Sequence, residues 1–272
     1  MKAFHIHLVS DSTGETVSTA ARASLVQFEK VETTEHVWPM VRGRNQVQEV
    51  VAGIEAHPGF VLYTLVDPET RKILEDGCRR LQVPSISMLD PIVTALGAYL
   101  GAEVHARPGR QHIMDADYFD RIEAMHFVLN HDDGQLTRDL NDADVVVIGV
   151  SRTSKTPTCI YLANRGIKAA NIPVVPGFPL PTEVLEAENP LIVGLTEDPK
   201  RLVEIRRNRL RMLKQDEQTD YVDSETVSQE VNAARRMFAS HGWPVIDVTR
   251  RSIEETAAHI LQLYNRRQEQ NP

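Results

Sequence analysis

Val145-Val146-Val147-Ile148-Gly149 is apolar at every position. A strand with one wet face alternates apolar and polar residues. An unbroken run is buried on both faces, as the central strand of a parallel sheet is. Parallel neighbours need crossover connections, so helices must alternate with strands. The rest of the sequence supplies that alternation. Strand patterns over 3–10, 35–41, 59–66 and 84–89 are interleaved with helical patterns over 17–28, 45–56, 68–81 and 91–101. Pro68 stands in the first turn of the third helix. A second series adds strands at 171–175, 191–196 and 244–249, and helices at 198–213, 224–242 and 252–264. No internal repeat is visible. The order predicts an α/β protein of two domains with mainly parallel sheets, residues 1–140 and 141–272, the C-terminal one P-loop kinase-like.

Between the series, residues 102–115 have no clear period and read as a linker or functional loop. Residues 116–130 read as a helix with Tyr118, Ile122, Met125 and Leu129 on one face, ended by the turn signal of residues 131–135.

The buried run at 145–149 leads into Gly149-Val150-Ser151-Arg152-Thr153-Ser154-Lys155-Thr156. A phosphate-binding loop reads G-x-x-x-x-G-K-[ST], and only Ser154 departs from it. Gly149 allows a sharp turn. Ser154, being small, admits phosphate if its φ is negative. Pro157 suits a first helical turn. The loop N–H groups and the helix N-terminus then form an anion site, with Lys155 reaching phosphate oxygens and Thr156 a Mg²⁺ ligand. The plain alternative is an ordinary strand–turn–helix with a solvated lysine.

Composition limits the function classes. The 272 residues carry a net charge of −8, which argues against general nucleic-acid binding, since that depends on neutralising phosphates. Cys78 and Cys159 fit neither a disulfide framework nor a zinc site, and Cys159 reads as a small core residue. The N-terminal stretch has no apolar h-region, and no apolar run is long enough to span a bilayer, so a cytoplasmic protein is expected.

Several blocks together carry a resemblance. Residues 149–177, with 9–16 (VSDSTGET), 118–135, 194–210 and 246–257, resemble the pyruvate, phosphate dikinase regulatory proteins, a family that includes the phosphoenolpyruvate synthase regulators. The resemblance extends over nearly the whole chain, and that family accepts Ser or Gly before the lysine. It implies two activities on one target. One is an ADP-dependent serine/threonine kinase that inactivates the dikinase. The other is a phosphorylase that uses inorganic phosphate to remove the same group as pyrophosphate. The form of the 9–16 block is closer to the dikinase branch, with the synthase as the alternative target. A homodimer is what the family suggests. A small-molecule P-loop kinase or a non-catalytic ADP sensor would share the loop.

Such chemistry needs a cradle for adjoining phosphates, a cation and a group that accepts the hydroxyl proton. Residues 149–156 are the expected cradle for ADP and phosphate, with Mg²⁺ at Thr156. Lys155, Asp11, Asp132 and Asp133 are the catalytic candidates. Asp11 follows a strand, where α/β sheets bind ligands, but a helix N-cap explains it equally well. The hydroxyls of residues 10–13 with Gly14 would form a second anion nest. Asp132-Asp133-Gly134 is a helix-ending turn or a site for metal or hydroxyl activation. Asp247 reads as a strand-end structural acid. His126 and His131 read as surface or helix-end residues, and His5 and His7 as structural strand residues. Arg201, Arg206, Arg207, Arg209 and Arg211 are a solvated helix face or a phosphate clamp. One site serving both reactions is the preferred expectation; two sites on two domains also fit.

Overall fold

The computed structural model of the chain describes residues 4–105, 116–216 and 219–270. The chain forms two compact units, Met1–Ile113 and Met114–Pro272.

In the first unit, β1 (Phe4–Val9), β2 (Thr33–Trp38), β3 (Gly59–Tyr63) and β4 (Ser85–Ser87) form a parallel sheet in the order β2-β1-β3-β4. Their connections are α1 (Glu15–Leu25), α2 (Arg44–Ala56) and α3 (Pro68–Leu81), and α4 (Asp90–Leu100) follows β4. Val9, Val61 and Tyr63 join Val47, Val50, Ile54 and Leu74 of α2 and α3 in one core. Ile6 and Leu8 pack with Val17 and Ala21 of α1 in another. The helix at 68–81 starts where its residues require. Asp67 caps it by accepting the Thr70 N–H at 2.9 Å, and Pro68 occupies a first-turn position that needs no hydrogen bond. His7 is fully buried, donating from Nε2 to His57 O (2.8 Å) and accepting from Trp38 Nε1 at Nδ1 (3.1 Å), a structural role.

In the second unit, α5 (Ala116–Asn130) precedes β5 (Val145–Gly149), α6 (Lys155–Ala163), β6 (Ala169–Pro173), α7 (Thr182–Glu186), β7 (Leu191–Thr196), α8 (Pro199–Met212), α9 (Ser224–Ser240), β8 (Val245–Asp247) and α10 (Ile253–Gln270). The sheet is parallel, in the order β6-β5-β7-β8. Every residue of β5 and β7 is buried. Val145 and Val147 pack with Cys159 and Leu162 of α6 and Ile260 of α10. Val146 and Ile148 pack with Leu202 of α8 and Val227 and Phe238 of α9. The unbroken apolar run is thus two period-two faces, each covered by helices. Cys159 is a core residue, and burial pushes its thiol pKa up.

Three features were not given by the sequence patterns. The unit division falls between Ile113 and Met114, ahead of the expected boundary near residue 140, because α5 packs on β6 and α6. On α5 the buried residues are Ala124 and Val128, while Leu129 is 67% exposed; small residues allow close approach to the sheet layer. The two sheets also share one strand order, a topological repeat without a visible sequence repeat. Most of the expected linker at 102–115 lies outside the described residues.

Candidate functional site

The second sheet orders its strands so that β5 lies between β6 and β7, with the chain passing first to one side of β5 and then to the other. Ligands of such sheets bind beyond the strand carboxyl ends at this reversal. There the loop 150–154 leaves β5 and α6 begins at Lys155.

Gly149 is required by close approach. A Cβ there would lie 2.9 Å from Leu195 O and 2.7 Å from Thr153 Oγ1. Arg152 (φ 71°) and Ser154 (φ 60°) are left-handed. The condition of a negative φ at Ser154 is therefore not met. The serine occupies a conformation suited to glycine, at a cost of roughly 1–2 kcal/mol. Val150 O accepts from Thr153 Oγ1 (2.9 Å) and from Lys155 Nζ (3.1 Å). Lys155 is 5% exposed, so it is not a solvated lysine. Burial holds its pKa below the usual lysine value; Asp133 and Asp132 oppose the shift and Arg206 adds to it.

Arg206 sets the outer side of the loop. Its side chain is buried and pairs with Glu230 through two hydrogen bonds of 2.7 and 2.9 Å. It also donates to Ser151 O from Nε (3.3 Å) and Nη2 (3.1 Å), and to Tyr221 O (3.2 Å). Its guanidinium lies 4.6 Å from the Tyr221 ring centroid, and Ser151 Oγ is 3.0 Å from Tyr221 Oη. In a planar trans peptide the C=O and the following N–H point in opposite directions. Holding Ser151 O against Arg206 therefore turns the Arg152 N–H away from it. Of the two readings of the arginine run, the solvated face does not hold for Arg206, which is buried, and its guanidinium is engaged with Glu230 and the loop backbone. Arg201 faces Glu197 at 3.7 Å, and Arg207 and Arg209 are exposed.

On the β6 side a 3-10 turn, Asp132–Gly134, meets the start of α6. Thr156 Oγ1 donates to Asp132 Oδ1 at 2.7 Å, and Asn171 Nδ2 donates to the same oxygen. Asn171 Oδ1 accepts the Asp133 N–H at 3.0 Å, fixing Asp133 in a left-handed conformation. His131, expected as a surface or helix-end residue, follows the end of α5 but is 3% exposed, stacked on Phe127 and bonded through Nδ1 to Phe127 O (2.8 Å). Asn171 was not singled out in the sequence; its signal is a lone amide in an apolar strand.

The fold thus gathers Lys155, Thr156, Asp132 and Asp133. Asp11 belongs to the first unit. It is no N-cap, since Gly14 holds that place before α1. Its Oδ2 accepts the Val66 N–H at 2.9 Å, its carbonyl accepts from Arg42 Nε at 2.7 Å, and burial raises its pKa. Ser10 Oγ is engaged by Ser12 N and Thr64 Oγ1. Asp247 accepts from Thr249 N (2.9 Å), as a strand-end structural acid does.

Among the described residues no group of three or more His, Cys, Asp or Glu could hold a metal ion, and no helix is long and apolar enough to cross a membrane. The oxygen set of Asp132 and Thr156 is nevertheless the kind that holds Mg²⁺, which takes one or two protein oxygens and completes its shell with phosphate and water.

The kinase/pyrophosphorylase family profile matches residues 6–261. Proteins named as pyruvate, phosphate dikinase regulatory proteins are similar over nearly the whole chain. That of Paramagnetospirillum magneticum is 59% identical over 266 residues, covering 98% of this chain and 86% of its own. Those of Caulobacter vibrioides and Erythrobacter litoralis are each 54% identical, over 96% and 98% of this chain and 82% and 96% of theirs. With the family profile spanning both units, the chain belongs to the kinase/pyrophosphorylase family.

Proposed function

We propose that this protein regulates pyruvate, phosphate dikinase by two opposed phosphoryl transfers at one site. In one direction the β-phosphoryl of ADP passes to a threonine hydroxyl, giving phosphothreonine and AMP. In the other, inorganic phosphate attacks that phosphothreonine, giving free threonine and pyrophosphate. The observation that carries the reading is the convergence of Lys155, Thr156, Asp132 and Asp133 at the start of α6. The names of the relatives support the dikinase as target.

Both reactions place two phosphoryl groups side by side, so both need in-line geometry and charge neutralisation. Lys155 Nζ rests on Val150 O within the loop, where it would neutralise a bound phosphate. The N–H groups of the loop and of the first turn of α6 supply further donors. Asp132 and Thr156 would hold Mg²⁺, which supplies charge neutralisation when bound. Asp132 is committed to Thr156 and Asn171, so Asp133 is the better proton acceptor for the threonine hydroxyl and its donor in reverse.

Lys155→Ala tests the reading. With dikinase as substrate, ADP-dependent threonine phosphorylation and phosphate-dependent pyrophosphate release should both fall, by about 10²–10³. Loss of the first with a normal rate of the second would require two sites. Wild-type protein that leaves the dikinase threonine unmodified in both directions would reject the function.

A further inference from the structure

Beyond the loop 150–154, the carboxyl edge of the second sheet has another concavity, of about 600 Å³, at the ends of β7 and β8. Asp198, Arg235, Asp247, Thr249, Arg250 and Arg251 line it. Both of its carboxylates already accept hydrogen bonds from the chain. Asp198 Oδ1 caps α8, accepting from Lys200 N (3.0 Å) and Arg201 N (3.1 Å). Asp247 Oδ1 accepts from the Thr249 N–H and hydroxyl, and its Oδ2 faces Arg235 at 3.8 Å. Its donors are largely unused. Arg235 spends Nε on Thr196 Oγ1 (2.8 Å), Arg251 is bonded to His259 Nδ1 (2.8 Å), and Arg250 carries none of the hydrogen bonds or ion pairs among the described residues. Each guanidinium offers five N–H groups in a planar fork that matches carboxylate and phosphoryl oxygens.

We propose that this concavity is a second anion site, which seats a carboxylate- or phosphate-bearing side chain of the protein substrate beside the threonine being modified. The inference rests on the function proposed above and adds how the substrate is recognised. Three features favour a protein ligand. The concavity is open to solvent, as a docking surface for a chain must be. Its lining has no aromatic or aliphatic side chain to hold a nucleobase. And β8 lies two strands from β5, which places the site about 10 Å from the loop at the usual strand spacing, the span of about three residues of extended peptide. A threonine at the loop and an anionic residue about three positions away would engage both places at once.

Steady-state phosphorylation of the dikinase by Arg250→Glu and Arg251→Glu decides the matter. Arg266→Glu, an equal charge change at an exposed site near the end of α10, is the control. The expected result is a rise of about tenfold in KM for dikinase in the first two variants, with KM for ADP within twofold of wild type, partial recovery in Arg250→Lys, and no rise in the control. An unchanged KM for dikinase overturns the proposal, as does an equal rise in Arg266→Glu. A rise in KM for inorganic phosphate alone, in the reverse reaction, assigns the site to free phosphate and overturns its role in substrate docking. Wild-type protein with no activity on the dikinase would instead reject the function itself, so the two failures are distinguishable.

Discussion

Replacing Glu230 by Gln tests whether the loop is held from behind by a buried ion pair. The side chains of Arg206 and Glu230 are 2% and 8% exposed and share two short hydrogen bonds. Glutamine keeps the shape and removes the charge, leaving the Arg206 guanidinium buried without its counter-ion. Breaking a buried pair from one side costs about 3–5 kcal/mol. For a unit of this size each kcal/mol lowers Tm by roughly 2–4 °C, so the expected fall is about 6–20 °C. Thermal denaturation followed by circular dichroism measures it. The companion variant, Arg206→Met with Glu230→Leu, separates charge from architecture. Two apolar side chains remove the unpaired charge and should restore much of the lost stability. They cannot hold Ser151 O or Tyr221 O, so calorimetric ADP binding should stay weak even where the fold recovers. A Glu230→Gln protein melting within 2 °C of wild type, or a double variant with wild-type ADP affinity, would refute the reasoning.

Two further outcomes follow from the backbone and from a half-buried phenol. Ser154 sits at φ 60°, so Ser154→Gly should hold or raise stability while Ser154→Val lowers it by about 1–2 kcal/mol in urea unfolding; a glycine variant that loses stability or binds ADP tenfold more weakly would mean that the serine hydroxyl makes a needed contact. Tyr264 donates to Asp144 at 2.8 Å, and burial with that carboxylate raises its pKa from 10.0 to about 12. The folded state therefore keeps this proton when the unfolded chain has lost it. The stabilisation is present below pH 10 and is lost as pH rises toward 12, so urea unfolding between pH 9 and 12 should show a steeper loss in wild type than in Tyr264→Phe.

The local chemistry of the chain was written in its residue order. The unbroken run 145–149 required two covered faces, and helices lie on both. Asp67-Pro68 fixed the start of α3, because a side-chain acceptor and a missing N–H both belong at a helix N-terminus. The position of Lys155 at the start of α6 followed from the loop pattern. The extent of the family blocks, too, was a property of sequence. What tertiary structure decided was which distant residues meet and where polar groups are buried. Asp132 touches Thr156 and Asn171 only because the turn after α5 folds over β6. Arg206 looked like one of several solvated arginines, yet α9 brings Glu230 to it and makes it a support for Ser151. Helical spacing marked an apolar face on α5, but depth of contact with the sheet selected Ala124 and Val128 over Leu129. Ser154 adopts its left-handed φ at the junction of β5 and α6, a backbone conformation that residue type alone did not reveal. A sequence records each residue's preferences, but partners separated by tens of positions, and the burial that changes a charged group's cost, exist only once the chain has folded.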